Sequence, residues 1–178
     1  MGKSFYETYK DIIRQRALEL HEIFKNVPPM EAVKSLYKMV DDEISKIDKS
    51  NMSCKKGCYF CCHDEVVMSE MEASYFLEKI DGVEVDEKVL SLQNSVNDFT
   101  KLKWADMKCP LLDKNGECKV YENRPLICRT INSIDDPQLC KEKKLHPQLY
   151  RIEIASIQMV LIMLSNMKNV SLHNLIVK

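Results

Sequence analysis

The chain has 178 residues, 45% of them hydrophobic and 30% charged, with 26 basic against 27 acidic side chains and a formal net charge of -1. That is one domain's worth of chain with enough apolar residues for a core, and its even charge excludes the basic footprint of a nucleic-acid binder. Only 4 glycines leave few phosphate-cradling loops, whereas 8 cysteines demand an explanation.

From the N-terminus, Phe5, Tyr9, Ile12, Ile13, Leu20, Ile23 and Phe24 recur at three- and four-residue steps and predict an amphipathic helix, stopped by Pro28 and Pro29. The pattern resumes over Met30–Ile47 with Val33, Leu36, Tyr37, Val40, Ile44 and Ile47, so residues 1–50 read as a helical hairpin. No apolar stretch follows Lys3, as a secretory signal would need, and Tyr6 stands where N-myristoylation needs Ser or Thr. Periodicity stops over Asn51–His63, and Glu65–Met68 reads as a short extended segment. Ser69 with Glu72 three residues on is a capping box that opens a helix to about Ile80, and Asp81-Gly82 turns the chain. Asp86–Trp104 reads as one further helix.

In the second half, Cys109–Tyr121 carries an Asn115-Gly116 turn between two short apolar pieces, which predicts a β-hairpin that sets Cys109 and Cys118 face to face. Asp135-Asp136-Pro137 reads as a turn, and Pro147–Asn169 as a long helix. Its most apolar run, Ile154–Leu164, is about half the ~20 residues of a membrane span, and Arg151, Glu153 and Gln158 flank or break it. Val170–Lys178 carries no clear signal. The expectation is a mainly α single domain over 1–178, with a helical scaffold, an irregular cysteine-rich metal-binding region over 51–140, a short β-hairpin and a C-terminal helix in 141–178. The expected setting is the cytoplasm, with no membrane and no nucleic-acid partner.

In a reducing compartment thiols are not held as structural disulfides, so the cysteines point to metal or redox chemistry. Cys54, Cys58, Cys61 and Cys62 form a C-x3-C-x2-C-C group, in which short spacings let sulfurs converge on one ion or on neighbouring irons, with Gly57 supplying the turn. Cys109, Cys118, Cys128 and Cys140 form a looser group. Adjacent cysteines in an extended chain point to opposite sides, so one of Cys61 and Cys62 is expected to serve with the second group. His63 and His146 are alternative ligands. Lys55, Lys56, Lys108, Arg124 and Arg129 are placed to offset thiolate charge, and Arg124 and Arg129, bracketing Pro125 beside Cys128, are candidate cofactor contacts. No nucleophile–base pair, H-E-x-x-H helix or P-loop is present.

The run CKKGCYFCC, followed by CPLL, Gly116-x-Cys118 with Val120-Tyr121-Glu122, and Arg124-Pro125 with Cys128-Arg129, resembles the YkgJ-type cysteine-cluster proteins, a zinc- or iron-chelating family with a CxxCxxCC signature. The resemblance spans about Cys54 to Cys140 and implies that all eight cysteines form a metal or Fe–S site. This chain departs in having three residues between its first two cysteines. A cluster similar to that of flagellin lysine methylases raises an enzyme-linked role. Cys54, Cys58 and Cys61 with Phe60 also match the C-x3-C-x-aromatic-C spacing of radical S-adenosylmethionine enzymes, but the Gly-rich strand ends of their partial barrel are missing here. Three functions follow as expectations: an Fe–S or similar redox protein for electron transfer or sensing, a Zn²⁺-stabilised module that binds a protein partner, and a metal-dependent enzyme with an open coordination position.

Overall fold

The computed structural model describes residues 4–50, 52–54, 57–131, 133, 136, 138–142 and 151–176. Lys55, Lys56 and His146, the Asp135 and Pro137 positions of the expected turn, and the expected helix start at Pro147 lie outside the described residues.

Helix α1, Phe5–Phe24, starts at a complete capping box in which Ser4 Oγ accepts the Glu7 N–H and the Glu7 carboxylate accepts the Ser4 N–H. Only Ile13 and Ala17 of α1 are fully buried, and the helix lies chiefly along α7, Ile152–Leu164. Helix α2, Pro29–Ser45, takes Pro29 at its first turn, where the missing N–H costs no hydrogen bond. Its buried stripe of Val33, Leu36, Tyr37 and Val40 meets Leu126, Ile157, Val160 and Leu161 in one apolar cluster. No helix among the described residues is long and apolar enough to cross a membrane.

Strand β1, Val67–Ser69, runs directly into α3, Glu70–Lys79, where Ser69 Oγ accepts the Glu72 N–H as the sequence predicts. Its partner is β2, Asn169–Ser171, paired antiparallel with Met68 opposite Val170. Left-handed Asn166 and Met167 (φ 52° and 62°) turn the chain out of α7 towards β2, and α8, Leu172–Leu175, follows it. A second apolar cluster forms here from Val66, Met68, Phe76, Leu111, Val120 and Leu172, with Cys109, Cys118 and Cys128 packed against it.

One expectation changes, and the expected hairpin forms with a minimal ladder. Asp86–Trp104 is not one helix: α4 covers only Glu87–Asn94, and two 3-10 turns follow, Phe99–Lys101 and Trp104–Met107. Ser95 Oγ binds the Leu92 carbonyl and Asp98 caps Thr100, so short polar side chains compete with the helix for its own backbone groups. Gln93, 1% exposed, draws the chain back by donating to the carbonyls of Asp106 and Lys108. The Cys109–Tyr121 hairpin closes on a single antiparallel bridge, Leu112 with Cys118, around a turn in which Asp113 accepts the N–H groups of Asn115 and Glu117. The two paired strands are β1 and β2, about a hundred residues apart in sequence.

Candidate metal centre

The eight cysteines arrive from five pieces of chain, and none is in a disulfide. Cys54 lies in an extended segment clasped to Ser133: the Ser53 N–H donates to the Ser133 carbonyl at 2.8 Å, and the Ser133 N–H to Cys54 Sγ at 3.0 Å. Gly57 at φ 88° delivers Cys58. Cys61 and Cys62 sit in the 3-10 turn Phe60–His63, so the extended-chain premise for sending them apart does not hold; their thiols contact each other. The Cys62 carbonyl accepts the Cys109 N–H at 2.7 Å, tying the first cysteine loop to the hairpin. Cys118 lies at the bridge, Cys128 on α5, Leu126–Thr130, and buried Cys140 on α6, Gln138–Lys141.

Six of these thiols, Cys58, Cys61, Cys62, Cys109, Cys118 and Cys128, wall one cavity of about 100 Å³. A wider cavity of about 440 Å³ adjoins it, reached by Cys54, Cys58, Cys61 and Cys128 together with Lys49, Tyr121 and Arg124. The thiols that act most on Cys140 are Cys54, Cys61 and Cys58, and its helix α6 packs on the Phe60–His63 turn, whereas those that act most on Cys128 are Cys109, Cys61 and Cys118. Cys140 therefore stands with the first group, and Cys61 is common to both. A still larger cavity between α1, α2 and α7 holds no thiol.

Burial pushes the lone thiols up: Cys109 to about 12, Cys128 well above its ordinary value, and Cys58, Cys118 and Cys140 in the same direction. The Cys61 thiol is raised first by its contact with Cys62 and then by burial. Opposing this, the N–H groups of Phe60, Leu111 and Val120 donate to Cys58, Cys109 and Cys118, each from two residues further on. Donors aimed at sulfur favour the thiolate, the form that ligates metal. In kind the set therefore fits a thiophilic metal or a cluster: soft sulfurs, all at least partly buried, and hydrogen bonds ready for negative sulfur. Among the described residues no three His, Cys, Asp or Glu side chains already stand as ligands of one ion; the donors wall a cavity instead of converging on a point.

A family model described as "CxxCxxCC: Putative zinc- or iron-chelating domain" matches residues 53–159, the greater part of the chain and all eight cysteines. The chain belongs to the CxxCxxCC family. No curated protein and no solved structure matches it.

The other polar residues of this CxxCxxCC chain divide clearly. Arg129, 8% exposed, gives Nη1 to both Asp41 oxygens, Nη2 to the Glu122 carbonyl and Nε to the Arg124 carbonyl, with its guanidinium over Tyr37. It braces the segment before Cys128 from behind. Arg124 instead lies over Tyr121, 3.7 Å from the ring centre, and borders both cavities, whereas Arg129 borders only the wider one. His63 is engaged by Trp104: it stacks on the indole at 3.7 Å, and its Nδ1 lies 2.8 Å from the Trp104 carbonyl, which can only accept, so Nδ1 carries a proton. Lys141, next to Cys140, rests over the same indole. This stack and the Ser133 clasp escape sequence reading, since neither has a motif, whereas backbone amides of the irregular loops are expected donors to sulfur. The hint for the amides is that residues two beyond Cys58, Cys109 and Cys118 are aromatic or aliphatic and free to donate their N–H.

Proposed function

We propose that the chain holds thiolate-ligated metal through all eight cysteines in two adjoining sets, Cys54, Cys58 and Cys140 on one side and Cys109, Cys118 and Cys128 on the other, with the touching Cys61 and Cys62 at the seam between them. The observation that carries this reading is that six thiols from four separate segments wall one small cavity, three of them already accepting backbone N–H groups. An Fe–S cluster serving electron transfer or redox sensing suits donors spread around a cavity, because bridging irons span a wider sulfur cage than one ~2.3 Å Zn–S shell does. Hydrogen bonds to sulfur and exclusion of water are the means by which a protein sets the potential of such a cluster. A cytoplasmic, reducing setting keeps the thiols free for it.

The second reading is a metal-dependent enzyme, favoured by the 440 Å³ cavity that touches four of the thiols and opens beside Arg124 and Lys49. Anaerobic purification followed by a visible spectrum and iron, zinc and acid-labile sulfide assays tests both. Brown protein with iron and sulfide supports the cluster. Colourless protein with stoichiometric zinc removes electron transfer and leaves a Zn²⁺-stabilised module or a zinc enzyme. Cys→Ser at Cys58 or Cys128 that leaves metal content unchanged would sink the ligand assignment.

A further inference from the structure

Arg124 is the cation that acts on both Cys118 and Cys128, and the sequence alone does not distinguish it from Arg129. The tertiary structure separates them. Arg129 spends its guanidinium on Asp41 and on two carbonyls, one of which is that of Arg124 itself. Arg124 is thereby held at its backbone and, through the Tyr121 ring, at its guanidinium plane. Its Nε is buried, and no acceptor among the described residues meets it. A buried N–H without a partner costs about 1–3 kcal/mol, more on a charged group, and an orphan of that kind asks for an acceptor that completes the site. The adjoining walls carry thiols on both sides.

Four thiolates around a divalent ion carry a net charge near -2, and that charge is expensive in a water-poor cavity unless a cation is at hand. We propose that Arg124 is the charge partner of the metal-bound thiolates: pinned between the two cavities, it donates its buried Nε–H to a ligand sulfur and sets how tightly the site holds metal. This rests on the metal reading above and assigns a positioning role to one residue within it. Lys108 is the cation acting on Cys109.

The test loads wild type, Arg124→Lys and Arg124→Gln with cobalt(II) alone and measures affinity by chelator competition, the sulfur-to-cobalt charge-transfer band, and folding by circular dichroism. Affinity is expected to fall about 10- to 100-fold in Arg124→Gln, with Arg124→Lys between it and wild type. The charge-transfer band is expected to move to lower energy in Arg124→Gln, because a sulfur that loses a donor gives up its electrons more readily; a residue that only supports the fold leaves the band in place. Unchanged affinity and band in a folded Arg124→Gln chain, or an Arg124→Lys chain as weak as Arg124→Gln, overturns the proposal while the metal reading stands. A wild-type chain that takes up neither cobalt, zinc nor iron removes both. If Arg124→Gln does not fold, Tyr121→Leu removes the shelf and leaves the charge, and an affinity and band equal to wild type in that variant overturn the proposal as well.

Discussion

At the scale of single residues, two buried features control what surrounds the sulfurs. Glu72, 4% exposed, accepts the Tyr37 hydroxyl and the Leu126 N–H, both at 2.6 Å, and so links α2, α3 and the start of α5 that carries Cys128. Burial raises its pKa above the ordinary value of 4.5 despite those donors. A carboxyl with a raised folded pKa contributes most to stability below its unfolded value, and that contribution is lost as pH rises through the folded value. Glu72→Gln, which keeps an acceptor and has no charge to bury, is therefore expected to gain on wild type as pH climbs from about 4.5 to neutrality, read by urea melts across that range. A difference that stays constant with pH would remove the burial argument. Gly116 is the second feature: at φ 80°, a Cβ there would stand 2.7 Å from Tyr59 Cδ1, whereas Gly82 at φ 74° has open space. Ala at either site costs about 1–3 kcal/mol of backbone strain, and only Gly116→Ala also displaces Tyr59 from between Cys58 and Cys61. Thermal melts should thus rank Gly116→Ala below Gly82→Ala, with metal loss confined to the former.

At the scale of elements, the cysteines depend on short, irregular pieces fastened by side chains. The 3-10 turns Phe60–His63 and Trp104–Met107 and helix α6 meet through the stack of His63, Trp104 and Lys141. Trp104→Leu keeps the backbone carbonyl that holds His63 but loses the ring that gathers α6. Under the two-set reading, metal content is expected to fall towards half as Cys140 drifts from Cys54 and Cys58, while ligation by Cys109, Cys118 and Cys128 persists. Full retention, or loss of both sets together, would argue against that division. Because Trp104 is the only tryptophan, its emission in the wild type reports the same event directly.

At the scale of the whole molecule, the two apolar clusters lie on opposite sides of α5, which gives Leu126 to one and leaves Cys128 against the other. The segments bearing the remaining thiols contain little regular structure of their own, so bound metal takes the place of core. Chelation is expected to lower the melting temperature and broaden the transition, and reloading is expected to restore both. Since Cys58, Cys61, Cys109, Cys118, Cys128 and Cys140 all have raised thiol pKa values, they are protonated at neutral pH, and metal must displace those protons. Uptake should release protons into weak buffer, and affinity should fall as pH falls. Uptake without proton release would show that these thiols are not the ligands.

The sequence by itself determined what is local. Apolar spacing, the Pro28-Pro29 stop and the Ser69 cap placed α1, α2 and α3, and the cysteine spacings with CPLL and Arg124-Pro125 pointed to the family. Each of those signals is read within a few residues, because helix caps, turns and chelating loops close over that distance. Tertiary structure alone decided which six cysteines wall one cavity, that β1 pairs with β2, and that Arg129 is held by Asp41 while Arg124 borders both thiol-lined cavities. Those outcomes depend on contacts between segments tens of residues apart, whose positions are set by how α2, α3 and α7 pack and leave no periodic trace in any one stretch of chain.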